Sequence, residues 1–148
     1  MAARRIKLVI NSALEDVSLV GMTINKICSI IPLSDVEAYQ AELCVVEACT
    51  NAIKHAYNHH PNHDVEVVVT MFFDKVTFAI SDTGKTMEKR EMPSLDFDPN
   101  DLESIPEGGM GLFIINSVMD TVDYNSSQGK NTLTLTKHFA QDENRKNQ

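Results

Sequence analysis

Apolar and polar positions change rhythm several times along the chain, and each change marks an element. From Arg4 to Asn11 the alternation predicts a first strand. From Leu14 to Ile31 apolar residues recur at helical intervals, until Pro32 stops the run. Ser34 then has the features of an N-cap, with Glu37 placed to complete a capping box. The helix it opens carries Val36, Tyr39, Leu43, Val46, Thr50, Ile53 and Tyr57, whose helical spacing predicts one continuous buried stripe.

A polar stretch, Asn58 to Asp64, ends that helix. Two β-rich runs come next, VEVVVTMFF and KVTFAIS, joined by a short hairpin around Asp74 and Lys75. Between Asp82 and Gly111 no period is sustained, and glycine, proline and acidic residues are plentiful. A loop that long inside a compact domain is usually functional or mobile, so residues 85–107 read as a lid over a site. A short helix in MGLFIINSVMD, strands in VDYNSS and NTLTLTKHF, and a polar tail complete the chain. Residues 140–148 read as a disordered tail, and residues 1–148 as a single domain. Hairpin-like strands between helices predict an α+β two-layer sandwich, a mixed β-sheet with helices on one face.

Composition narrows the function classes. The chain has 148 residues, enough to enclose a core. Its formal net charge of −8 weighs against direct nucleic-acid binding, which needs a basic surface. No apolar run approaches the ~20 residues that span a bilayer, and the N-terminus lacks a secretory h-region. These features imply a cytoplasmic location with no membrane contact. Cys28, Cys44 and Cys49 read as reduced, mostly buried thiols rather than a disulfide framework.

Three constellations carry candidate chemistry. Glu47 and Asn51 lie four residues apart on the second long helix, hence on one face, and Lys54 and His55 extend that polar ridge. A carboxylate and a carboxamide beside a core face need a partner, and a metal ion with a polyphosphate would supply one. Asp82-Thr83-Gly84 stands where a strand ends. There an acceptor-only carboxylate can receive an exocyclic amine, and glycine lets the backbone approach a flat base. Gly108-Gly109-Met110-Gly111 leads into a helix, whose N-terminus favours an anion. Each has a plainer reading, as a solvated helix face, a turn and a glycine-rich loop. Gly84-Lys85-Thr86 only imitates a P-loop, because Ala79 stands where its first glycine belongs. His55, His59, His60 and His63 read better as helix C-terminal histidines than as a metal cluster.

The order of these parts is more specific than any one of them, and it resembles the GHKL ATPases. Within them the chain is similar to the anti-sigma factor serine kinases of the RsbW and SpoIIAB type. ELCVVEACTNAIKHAY matches that family's N box, DTG its first glycine box and EGGMGLFIINSVMD its second. GKNTLTL resembles its final strand. The resemblance implies the GHKL, or Bergerat, ATP-binding fold, with ATP and Mg²⁺ as cofactors. Glu47 would be the general base, Asn51 the Mg²⁺ ligand and Lys54 a phosphate contact. Asp82 would accept from the adenine amino group, beside Gly84 and with Thr132 helping through water. Gly109 and Gly111 would line the phosphate path. The implied function is a protein serine/threonine kinase that phosphorylates an anti-anti-sigma protein and sequesters a sigma factor. A homodimer is compatible with that role. The competing reading is a non-catalytic ATP-binding module that only sequesters its partner.

Overall fold

The computed structural model describes residues 3–87 and 110–140, residues 110–113 as backbone only. Gly109, most of the expected lid and the expected tail beyond residue 140 lie outside the described residues. Five strands form one sheet in the order β1-β2-β3-β5-β4. They are β1 Arg4–Asn11, β2 Asp64–Met71, β3 Lys75–Asp82, β4 Thr121–Ser127 and β5 Lys130–His138. Every described ladder is antiparallel. The helices α1 Leu14–Cys28, α2 Asp35–Asn51 and α3 Met110–Val118 supply the second layer of the expected α+β sandwich.

Strand alternation separates the two faces of the sheet. Val65, Val67, Val69, Val76, Phe78 and Leu135 are fully buried beneath the helices. Burying each stabilises the fold by about 1.5–3 kcal/mol relative to leaving it exposed. The intervening positions turn outward and carry a partly exposed field of threonines: Thr70, Thr77, Thr132, Thr134 and Thr136. Lys7 and Lys130 grip the two oxygens of Glu66 at 3.2 and 3.1 Å on this outer face. The two cations hold the Glu66 carboxyl below its usual value. Between β4 and β5 a two-residue turn, Gln128-Gly129, has φ of 53° and 76°. Two positive φ values match the twist of a tight hairpin, and they fix the register Ser126↔Asn131.

The capping box forms as expected: Glu37 N donates to Ser34 Oγ at 3.1 Å, and Ser34 N to Glu37 Oε1 at 3.0 Å. The stripe expected on α2 does not hold as one buried line. Val36 and Tyr39 are 66% and 55% exposed. The core side of α2 is instead Ala38, Ala41, Cys44, Val45, Ala48 and Cys49. Small residues are needed there because α2 is packed against α1, α3 and the sheet together. The larger Leu43, Val46 and Thr50 are only half-buried, lining a groove beside Leu14 and Met22 of α1. The two helices meet at Gly21, where a Cβ would lie 2.7 Å from Val46 Cγ2.

Past Asn51 the helix does not simply continue. Ala52–Ala56 form a π-turn, closed by Tyr57 N donating to Ala52 O at 3.1 Å. Single π-turns inside helices often mark functional sites. The three cysteines are free and buried, and burial pushes each thiol up to about 12. They stay protonated at neutral pH and are poor nucleophiles there. Among the described residues, no helix is long and apolar enough to cross a membrane.

Candidate functional site

The site is built where the end of β3 meets the end of α2. Asp82 is the last residue of β3 and lies across from Asn131 of β5. Both belong to the helix-covered face, continuing the series Val76, Phe78, Ile80 and Leu133, Leu135. Asp82 Oδ1 accepts Asn131 Nδ2 at 2.8 Å and Gly84 N at 3.0 Å, the second closing an Asx turn. Among the described residues Oδ2 accepts no hydrogen bond. Burial pushes the Asp82 carboxyl above its usual value, and the Asn131 and Gly84 donors pull it partly back.

Asn131 is 1% exposed and spends its whole carboxamide. Its nitrogen donates to Asp82 and to Gly84 O at 3.0 Å, and its oxygen accepts from Thr86 Oγ1 at 3.0 Å and Ser126 Oγ at 2.8 Å. The orientation is forced, since a flipped amide would set oxygen against a carboxylate and a carbonyl. No local motif in the sequence singles this residue out. The usable signal is its register with Asp82, which only the pairing of β3 with β5 reveals.

Thr132 takes a different place from the one expected. It lies across from Ser81, and its Oγ1 is 2.9 Å from Ser81 Oγ. Successive strand residues point to opposite faces, so Thr132 sits on the outer face while Asp82 sits on the inner one. Asn131, one residue earlier, holds the position beside the carboxylate.

The loop after Asp82 is docked on the π-turn. Lys85 N donates to Ala56 O at 2.8 Å, and a Cβ on Gly84 would come within 2.3 Å of that carbonyl oxygen. Here glycine is required by close approach to backbone rather than by φ. Gly84-Lys85-Thr86 is therefore a bend held on a neighbouring helix end, not the start of a phosphate-binding helix.

Glu47 and Asn51 are half-buried on α2, one α-turn apart, with Asn51 the last residue before the π-turn. Neither side chain makes a hydrogen bond or ion pair among the described residues. Glu47 lies close enough to Cys44 to raise that thiol further. Asn51 stands one i→i+5 step before Ala56, the residue that touches the Asp82 loop. Lys54 and His55 are exposed on the π-turn that follows. Gly111 is in the first turn of α3, which packs on α2.

The donor chemistry at Asn51 fits a hard cation. Its carboxamide oxygen is an unclaimed ligand at a half-buried position, with the Glu47 carboxylate one turn away.

Comparison with known proteins identifies the family. The family described as histidine kinase-like ATPase domain matches residues 10–137. The serine-protein kinase RsbW of Staphylococcus aureus strain JH9 is 31% identical over 147 residues, covering 96% of this chain and 91% of that protein. RsbW of strain Newman gives the same figures. A chain of the SiaB–SiaC complex from Pseudomonas aeruginosa superposes with a TM-score of 0.56 at 16% identity, covering 87% of this chain and 88% of that one. At that identity the last likeness speaks for the fold alone. The chain belongs to the histidine kinase-like ATPase family, within its branch of RsbW-like serine-protein kinases.

Proposed function

We propose that this chain is an ATP-dependent protein serine/threonine kinase of the cytoplasm, which phosphorylates an anti-anti-sigma protein and holds a sigma factor as its alternative partner. The observation that carries the nucleotide reading is the divided carboxylate of Asp82. One oxygen is tied by two donors, and the other remains for an amine. Adenine offers such an amine at its 6-position, and guanine presents an oxygen there. The likeness to RsbW, a serine-protein kinase by name, supports the phosphotransfer.

On this reading Asp82 accepts from the adenine amino group, and Asn131 holds that carboxylate. Gly84 keeps the loop low enough for the base to lie over it. Asn51 would hold Mg²⁺, which supplies charge neutralisation along the phosphates. Glu47 accepts the proton of the attacking hydroxyl. Lys54, Gly109 and Gly111 contact the phosphates. Phosphoryl transfer is mostly positioning and charge stabilisation, so this short set of groups suffices. We also read residues 1–148 as one domain.

The test uses the purified chain, labelled Mg-ATP and an anti-anti-sigma protein that co-purifies with it. Label on a serine or threonine of that partner is the expected result. A partner that binds but takes no label would leave a sequestering module. Parallel co-purification of a sigma factor, and the chain's mass in solution, test the remaining partners.

A further inference from the structure

We propose that Tyr57 is a positioning residue that holds the adenine end of the site in register with its metal and phosphate end. This role rests on the nucleotide reading of Asp82 and Asn51 given above. The two ends belong to different layers: Asp82 leaves a strand of the sheet, and Asn51 ends a helix packed on it. Something must fix their separation, because one ligand has to satisfy both.

Tyr57 directly succeeds the π-turn and is 5% exposed. Its ring stacks on His63, with centroids 4.7 Å apart and planes 9° from parallel. Packing alone would be served by phenylalanine, but the hydroxyl has two backbone partners. It accepts Thr83 N at 2.8 Å and donates to Asp64 O at 2.6 Å. Thr83 is the residue after Asp82, and Asp64 opens β2. One phenol therefore ties the exit of β3 to the entry of β2 and to the helix that carries Asn51.

The π-turn adds a second tie. Helix C-termini leave carbonyls without intrahelical partners, and Ala56 O is given to Lys85 N at 2.8 Å. Inserting one residue into a helix rotates the downstream residues by roughly 100°. Tyr57, the first residue past the turn, is buried, while Lys54 and His55 within it are exposed. Gly84 completes the clamp, since a Cβ there would also lie 2.9 Å from Tyr57 Cδ1. Thr83, Gly84 and Lys85 are each held against the helix end, so Asp82 cannot shift without moving it.

The test compares whole and divided ligands. Adenosine probes the base end, Mg-tripolyphosphate the phosphate end, and Mg-ATP both; NMR titration reads the weak ligands. Tyr57→Phe keeps the ring and removes the hydroxyl. Affinity for each fragment should stay within about threefold, while Mg-ATP affinity falls roughly tenfold or more, because linkage helps only when both ends are in register. His63→Ala removes the ring stacked on Tyr57 and loosens the same clamp from outside the site; it should give the same split, which keeps the test open if Tyr57→Phe folds poorly. Melting temperatures of both variants provide the folding control. Parallel weakening of all three ligands would reduce Tyr57 to a structural residue. An unchanged ratio of Mg-ATP to fragment affinities would also overturn the clamp, leaving the site assignment intact. Wild-type protein that binds neither adenosine nor Mg-ATP would sink the nucleotide reading itself.

Discussion

The two ends of the site are built on opposite principles. At the Asp82 end the chain saturates the polar atoms around a single open one, Asp82 Oδ2: Asn131 alone makes four hydrogen bonds, to Asp82, Gly84, Thr86 and Ser126. At the Asn51 end, Glu47 and Asn51 are half-buried and make none among the described residues. A saturated network is rigid and selects one shape, which suits a flat base with a fixed edge. Open acceptors suit ions, which bring charge and water of their own and would be displaced by an internal partner. On the proposed reading, specificity is therefore fixed before the ligand arrives, whereas the reacting end is completed by it.

The largest effect should come from the open end. Glu47→Gln keeps size and shape while deleting the carboxylate proposed as the base for the hydroxyl proton. General-base assistance typically contributes ~10²–10⁴-fold, so transfer of label to the partner should fall by that order. Nucleotide and partner binding should survive, as calorimetry can show. Transfer equal to wild type would mean that this glutamate is not the base.

The saturated end should yield the next largest effect, and in binding rather than rate. Asp82→Asn can set a donor against the adenine amine, and losing a charge-assisted bond there should cost about ten- to a hundredfold in ATP affinity. The pH dependence has a definite sign. Because burial raises the folded carboxyl above 3.8, the folded protein takes up this proton more readily than the unfolded chain. Ligand-free stability should therefore gain from this group as pH falls through the raised value toward 3.8, the reverse of a salt-bridged aspartate. Adenosine affinity should fall across the same window, as the acceptor is protonated, and should stay flat there in Asp82→Asn. Adenosine binding that ignores this window in wild type would remove Asp82 from the base site.

Asn51→Ala sharpens the contrast from the other side. Its loss should weaken Mg-ATP by about tenfold, and metal-free nucleotide much less, because only the metal uses the carboxamide oxygen. Equal losses with and without Mg²⁺ would make Asn51 a structural residue.

The same contrast governs how far each end is legible in the sequence. The open end announces itself, because Glu47 and Asn51 sit on one helix and helical spacing alone places them together. The five strands, the capping box at Ser34 and Glu37, and the helices-on-one-face architecture are equally local signals. The saturated end is only half legible. Asp82 stands out at a strand end, but its partner Asn131 depends on a register between strands about 50 residues apart and carries no local signal. A shift of one residue changes the face, so only the pairing itself reveals that partner. The misplaced stripe on α2 has another cause. Weighing large apolar residues favours Val36 and Tyr39, whereas close packing selects Ala41, Cys44 and Ala48. The π-turn leaves no periodic signal at all, since it is one residue of slippage, and the role of Tyr57 is hidden with it.

The smallest predicted effect probes how redundant the saturated end is. Ser126 is exposed, and its hydroxyl donates to Asn131 Oδ1 at 2.8 Å. The same oxygen also accepts from Thr86 Oγ1, so Ser126→Ala leaves the carboxamide anchored. Solvent at this exposed edge can take the vacated place, unlike at the buried nitrogen that faces Asp82 and Gly84. The net worth of such a bond is about 0.5–1.5 kcal/mol, so a lowered melting temperature is expected with adenosine affinity within about threefold. Removing Thr86 Oγ1 as well, in Thr86→Ala/Ser126→Ala, leaves the oxygen with water alone and frees the amide to rotate. Adenosine affinity should then drop by more than the two single losses combined, because the second hydroxyl matters only once the first is gone. Strictly additive losses would mean that the carboxamide is held by its nitrogen alone, and that the hydroxyl pair adds stability without guiding Asp82.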